Sequence, residues 1–83
     1  MSLKSNQSDI FSTSDLGCTT AIALFYPVLS VDKTNPQKAE FLFKRNIKLD
    51  KLVESYWSNT LKVSPLEYFQ KLKVMKSRLY EQG

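Results

Sequence analysis

Ser64-Pro65-Leu66-Glu67 marks the start of a helix more firmly than any other stretch of this 83-residue chain. A serine at the N-cap accepts a hydrogen bond from a backbone N–H of the first turn, and a glutamate three residues on can reach back to the serine's own N–H. Proline suits the first helical position, where its missing N–H costs nothing and its φ is already helical. With the helix started there, Tyr68, Phe69, Leu72, Met75 and Leu79 fall on one arc, the arc expected to face a core. Lys71 and Arg78 flank one edge of that arc, and Lys73 and Lys76 lie at or inside the other. Two readings of these cations stand. Their stems cover the rim of a core while the charges stay in water, or they form a basic ledge for a polyanion.

The rest of the chain supplies what such a helix packs against. Leu49, Leu52, Val53, Tyr56 and Trp57 recur at helical spacing, which predicts a second amphipathic helix over about 48–58. Ala39 to Lys44 alternates, with Ala39, Phe41 and Phe43 on one side of a strand. Val28 to Asp32 reads as its partner across the polar connection Lys33-Thr34-Asn35-Pro36-Gln37. Without the Gly that a tight turn favours, this is an antiparallel hairpin with a longer loop. Thr13-Ser14-Asp15 opens an earlier helix, over about 14–25, which stops before Pro27. That helix has poor propensity (Gly17, Thr19, Thr20, Ile22) and forms mainly when packed; its small Cys18, Ala21 and Ala23 permit close approach. Leu61-Lys62-Val63 is expected to be a short extended piece at the sheet edge. The fold expected is α+β, a small single domain of order α-β-β-α-(β)-α with helices on one face of an antiparallel hairpin. Residues 1–11 are expected to be a flexible, Ser-rich segment, pinned by Ile10 and Phe11, and residues 12–83 the domain.

Composition narrows the chemistry. A 42% hydrophobic and 12% aromatic content is that of a folded chain, not a disordered one. Histidine is absent and Cys18 is the single cysteine, which removes disulfide frameworks, His/Cys zinc sites and every His-dependent scheme. A lone cysteine suits a reducing interior. No charged-then-apolar leader opens the sequence, and Ala21 to Leu29, broken by Pro27, is too short to span a bilayer. A cytoplasmic protein with no membrane contact is expected. Cys18 itself reads as a small buried hydrophobe or, alternatively, a reactive thiol near a helix N-terminus.

Phe11-Ser12-Thr13-Ser14-Asp15-Leu16, Glu40-Phe41-Leu42-Phe43, Leu52-Val53-Glu54-Ser55-Tyr56-Trp57, and Val63-Ser64-Pro65-Leu66 with Leu72-Lys73 are four short pieces with a shared resemblance. Together they resemble a small, functionally uncharacterised domain family of bacteria and their phages, over Phe11 to Tyr80. Similar chains tend to carry a Gly after the first helix, where this one has Phe25-Tyr26-Pro27. The resemblance implies a self-contained domain, often encoded by mobile or phage-like elements. It implies no chemistry.

No catalytic motif stands out, and no enzyme, cofactor or small-molecule substrate is expected. Only Gly17 and Gly83 exist, so glycine-rich phosphate loops are excluded. Asp50 and Glu54, four apart on one helix, sit among Lys48 and Lys51 as a surface ladder rather than a metal pair. Charge is uneven: residues 1–37 hold two lysines against three aspartates, a net −1, whereas residues 38–83 hold ten Lys/Arg against five acids, a net +5. Lys44 and Arg45 end the second strand, Lys48 and Lys51 follow on the next helix, and Lys62 precedes the last. With Lys71, Lys73, Lys76 and Arg78 they form a candidate phosphate-binding set. Tyr26, Tyr56, Trp57 and Tyr80 are available to stack on bases, Trp57 being the better exposed of the central pair. The leading expectation is a non-catalytic nucleic-acid-associated module, an accessory of a DNA- or RNA-processing assembly. The alternative is a protein-interaction domain, a phage-type inhibitor or adaptor, docking through an apolar patch or the strand edge near Leu61 to Val63.

Overall fold

The computed structural model describes residues 9–35 and 37–80. In chain order its elements are β1 (Ile10–Thr13), α1 (Leu16–Ala23), β2 (Ser30–Asp32), β3 (Glu40–Lys44), α2 (Ile47–Trp57) and α3 (Pro65–Tyr80). The fold is α+β, as the sequence indicates, with three helices and one antiparallel sheet among the described residues.

The alternation of β3 sets the sheet. Phe41 and Phe43 point to one face and are buried, while Lys44 is exposed. β3 lies in the middle, in the order β1-β3-β2, and pairs antiparallel with both neighbours. Phe11 stands opposite Phe43, and Thr13 and Val31 stand opposite Phe41, so these residues share the inner face. Ser12, Leu42 and Ser30 form a row on the other face. The hairpin of β2 and β3 is the expected one.

β1 is a correction to the expected order. Ile10 and Phe11 lie within a strand, so the boundary drawn between a flexible segment 1–11 and the domain falls inside β1; residues 1–8 lie outside the described residues. The third strand expected at Leu61 to Val63 does not form. At the end of α2, Asn59 takes a left-handed φ of 63°, and the N–H groups of Thr60 and Leu61 donate to Ser55 O at 3.0 and 3.2 Å. This C-terminal cap turns the chain across the helix ends toward α3 instead of toward the sheet.

α1 is shorter than the 14–25 expected because Thr13 is used by the sheet and Asp15 becomes the N-cap. Asp15 Oδ1 accepts from Cys18 N–H at 2.8 Å, and Thr13 Oγ1 accepts from Asp15 N–H at 3.1 Å. At the other end the N–H groups of Phe25 and Tyr26 both reach Ile22 O, closing the helix before Pro27. α2 opens on Asn46, whose Oδ1 accepts from Leu49 N–H at 2.8 Å. α3 opens on Ser64 as its sequence requires, with Glu67 N–H donating to Ser64 Oγ at 3.4 Å.

Every residue from Cys18 to Ile22 is buried, so α1 has no solvent face. It packs most extensively on α3, then on α2, and touches β1. Leu24 lines a hollow with Glu67, Gln70, Lys71 and Val74 of α3. The core is Cys18, Ile22, Phe41, Phe43, Leu49 and Met75, ringed by Phe11, Val31, Leu52, Val53, Tyr56 and Leu79.

A phenol cluster clasps the start of α1. Tyr68 Oη donates to Gly17 O at 3.1 Å, and a β-carbon at residue 17 would collide with Tyr56 Oη. Burial raises the pKa of both phenols, and both stay protonated. Cys18 lies beneath them with no exposed surface; burial first, and then the Asp15 carboxylate, push its thiol up to about 11, against a lowering hydrogen bond from the Trp57 side chain. It is the inert hydrophobe of the two readings.

Three outcomes test this packing. Gly17→Ala, which gains up to ~1 kcal/mol in an ordinary helix, is expected to lose about 1–3 kcal/mol here through overpacking; Tyr56→Phe in the same chain is expected to recover most of the loss in urea unfolding. Thr19 Oγ1 is buried without a hydrogen-bond partner, so Thr19→Val is expected to raise stability by about 1 kcal/mol. Because folding favours the protonated Cys18 thiol, its contribution is complete below the ordinary pKa of 9.0 and is lost as pH rises through about 11. Native protein at pH 8 is accordingly expected to resist a thiol-specific disulfide reagent that labels the urea-unfolded chain.

Candidate nucleic-acid interface

α3 has two distinct faces. Tyr68, Leu72, Met75 and Leu79 are buried or half-buried, the side turned to α1. On the far side Phe69, Lys73, Lys76 and Tyr80 follow one another at spacings of four, three and four, which stacks them in one row. Phe69 is 54% and Tyr80 73% exposed, and both lysines are exposed. Lys73 Nζ lies 4.7 Å from the centre of the Phe69 ring, a cation–π contact that fixes the aromatic face and the charge side by side. The row contains no carboxylate, and Glu67, the single acid of α3, lies on another side of the helix. At 1.5 Å per residue the row is roughly 16 Å long.

Phe69 is a correction. Its place on the apolar arc predicts burial, yet α3 is seated on one narrow helix, α1, instead of a broad surface. The stripe covered is therefore only as wide as Tyr68, Leu72, Met75 and Leu79, and Phe69 falls one step outside it.

The other nominated cations are dispersed. Lys71 and Arg78 are half-buried on the opposite flank of α3, where Lys71 lines a hollow with Leu24, Glu67 and Val74. Arg45 Nε donates to Asp50 Oδ1 at 2.9 Å, so its charge is compensated. Lys48 and Lys51 are exposed on α2 but share that helix with Asp50 and Glu54, two charges of each sign. Lys44 ends β3 opposite Ile10, and Lys62 stands exposed in the turn before α3. Among the described residues no three His, Cys, Asp or Glu side chains are grouped to hold a metal, and no helix is long and apolar enough to cross a membrane.

Of the stacking candidates, Trp57 is 61% exposed and held by its neighbours. Its ring meets Tyr56 edge-on at 5.0 Å and 82°. Tyr56 and Tyr26 are half-buried. Sequence reasoning missed the exposed Phe69 and also Lys33 and Lys38, which line a cleft of about 760 Å³ with Ser14, Asn35, Gln37 and Tyr80. The signal for Phe69 was present in its spacing to Lys73, Lys76 and Tyr80. Nothing local links Lys33 and Lys38 to residue 80.

The family model described as Domain of unknown function (DUF5659) matches residues 25–81, more than half of the chain. The matched stretch holds β2, β3, α2 and α3, whereas β1 and α1 precede it. Three of the four pieces that carry the resemblance lie within it, and Phe11 to Leu16 lies outside. No curated protein and no solved structure matches the chain. By the extent of that match the chain belongs to the DUF5659 family.

Proposed function

We propose that this domain is a non-catalytic module that binds single-stranded nucleic acid along the exposed row of α3, as an accessory of a DNA- or RNA-processing assembly inside the cell. What carries the reading is that two exposed lysines stand between two exposed aromatic rings in that row, with no acid among them. Bases have π-faces whatever their identity, so they stack on exposed rings, while phosphates between them meet ammonium groups. Phe69 and Tyr80 offer the rings, and Lys73 and Lys76 the charges. Trp57, exposed and edge-on to Tyr56, offers a further stacking surface on α2. Lys44, Lys48, Lys51 and Lys62 add a diffuse positive field that steers a polyanion without fixing it. Duplex is the poorer ligand, because its bases present no open faces to the row.

A second reading, docking of a protein partner, draws on the exposed Leu66, Phe69 and Val74 of the same helix. It loses the strand-edge route, since Leu61 to Val63 is not a strand.

Titration of the full chain into labelled oligothymidylate, oligouridylate and a duplex, at low and moderate salt, separates the two. Single strands are expected to bind more tightly than the duplex, and affinity to fall with salt. Lys73→Gln with Lys76→Gln is expected to flatten the salt slope by about 1.4, and Phe69→Ala to cost about 1–3 kcal/mol of binding. No binding at low salt, or binding indifferent to these changes, overturns the proposal. Partners retained from a cell extract after nuclease treatment, and lost on Phe69→Ala, would then favour the protein reading.

A further inference from the structure

We infer that the outer face of the sheet is a self-association surface, which pairs with the same face of a second copy of this chain about a two-fold axis laid across Ser12, Leu42 and Ser30. Strand alternation turns Phe11, Phe41, Phe43 and Val31 toward the helices and sends their neighbours to the opposite side. Among the described residues that side is open, with Ser12, Ser30, Asp32 and Lys44 exposed.

A sheet face that meets only water carries polar side chains. This one has an apolar middle. Leu42 stands at its centre, half-buried, with Ile10 43% and Leu29 51% exposed. Leu29 reaches the outer side through a bulge: it and Ser30 both come between the inward Val28 and Val31, and Leu29 N–H donates at 2.8 Å to Leu42 O although Ser30 is the register partner of Leu42.

Charge identifies the occupant. Along β3 the successive outward residues are Glu40, Leu42 and Lys44, an acid and a base two positions either side of the centre. Asp32 stands opposite Glu40 and reinforces the acidic end. Its Oδ1 accepts from the N–H and the hydroxyl of Thr34 at 2.9 and 2.6 Å, which leaves Oδ2 as an acceptor. Lys38 shares a hollow with Asp32 and Glu40, so two carboxylates face one ammonium there and the end stays acidic. Such an order is self-complementary. A two-fold axis in the plane of contact, crossing the strands at Leu42, reverses the second copy, so that Ser12, Leu42 and Ser30 each meet their own counterpart and each Lys44 lies over the other copy's Glu40. The alternative axis, along the strands, would set Lys44 on Lys44 and Glu40 on Glu40 and is disfavoured.

Five residues of β3 at ~3.4 Å and three strands at ~4.8 Å give a face of roughly 250 Å² per copy. A standard stable interface takes ~800 Å² per partner, so the pair is weak and reversible. The inference does not rest on the strand-binding reading, which uses a side of α3 turned away from α1.

Sedimentation equilibrium and amide NMR of the full chain over a concentration series, up to millimolar protein, test the pairing. Association is expected to grow along the series and to move the amides of Ser12, Ser30, Leu42 and Lys44 while those of Phe69, Lys73 and Lys76 stay in place. Lys44→Glu lowers the net charge of +4 and eases general repulsion between copies, yet it sets acid on acid and is expected to weaken association at least about tenfold. Lys44→Glu combined with Glu40→Lys is expected to restore it, because opposite charges face each other again. Leu42→Asp is expected to abolish it, with far-UV circular dichroism reporting the fold; should that variant unfold, the charge exchange alone decides. A chain that stays monomeric throughout, association that moves other amides instead, or a double exchange no better than Lys44→Glu overturns the inference.

Discussion

Burial of α1 on every side governs how the other elements are placed. A helix without a polar face has to be enclosed, and the domain encloses it with the inner face of the sheet, with α2 and with α3. Its small side chains let these neighbours close in. Gly17 admits the phenol of Tyr56, and the small Cys18 leaves room for the phenylalanines of β3 and for Met75. Among the described residues Thr19 Oγ1 is a buried side-chain polar atom with no hydrogen-bond partner. The thiol of Cys18 is held protonated by the same enclosure.

Residues 25–81 supply the hairpin and two amphipathic helices, but the apolar faces of those elements converge on a helix that lies before residue 25. The matched portion buries Phe41, Phe43, Leu49 and Met75 only with α1 in place. In this chain the buried helix among them, Leu16–Ala23, precedes the matched stretch.

Much of the frame is legible locally. Ser64-Pro65 fixes the start of α3, the spacing of Leu49 to Tyr56 gives α2, and the alternation through Phe41 and Phe43 gives β3, because each signal is set by residues a few positions apart. β1 was hidden because four residues, two of them Ser and Thr, carry little pattern, and pairing with a strand thirty or so positions later decides the matter. The boundaries of α1 shifted for the same reason, since Thr13 serves the sheet. At the candidate site the lysines of α3 could be named from sequence, but their usefulness depends on which side of the helix is covered. That is a tertiary fact. The neutral outcome at Arg45, bonded to Asp50 five residues on, was within reach of local reasoning; the cleft formed by Lys33, Lys38 and Tyr80 was not.

The narrow seat of α3 leaves one side of the helix outside the packing. Residues that hold it to the body occupy one side, and the outward row contributes almost nothing to cohesion. Substitutions in that row therefore carry little penalty for the architecture, so chains built on the same frame are able to diverge along it while remaining folded. A surface of this kind is where lineages sharing one scaffold would be expected to differ most.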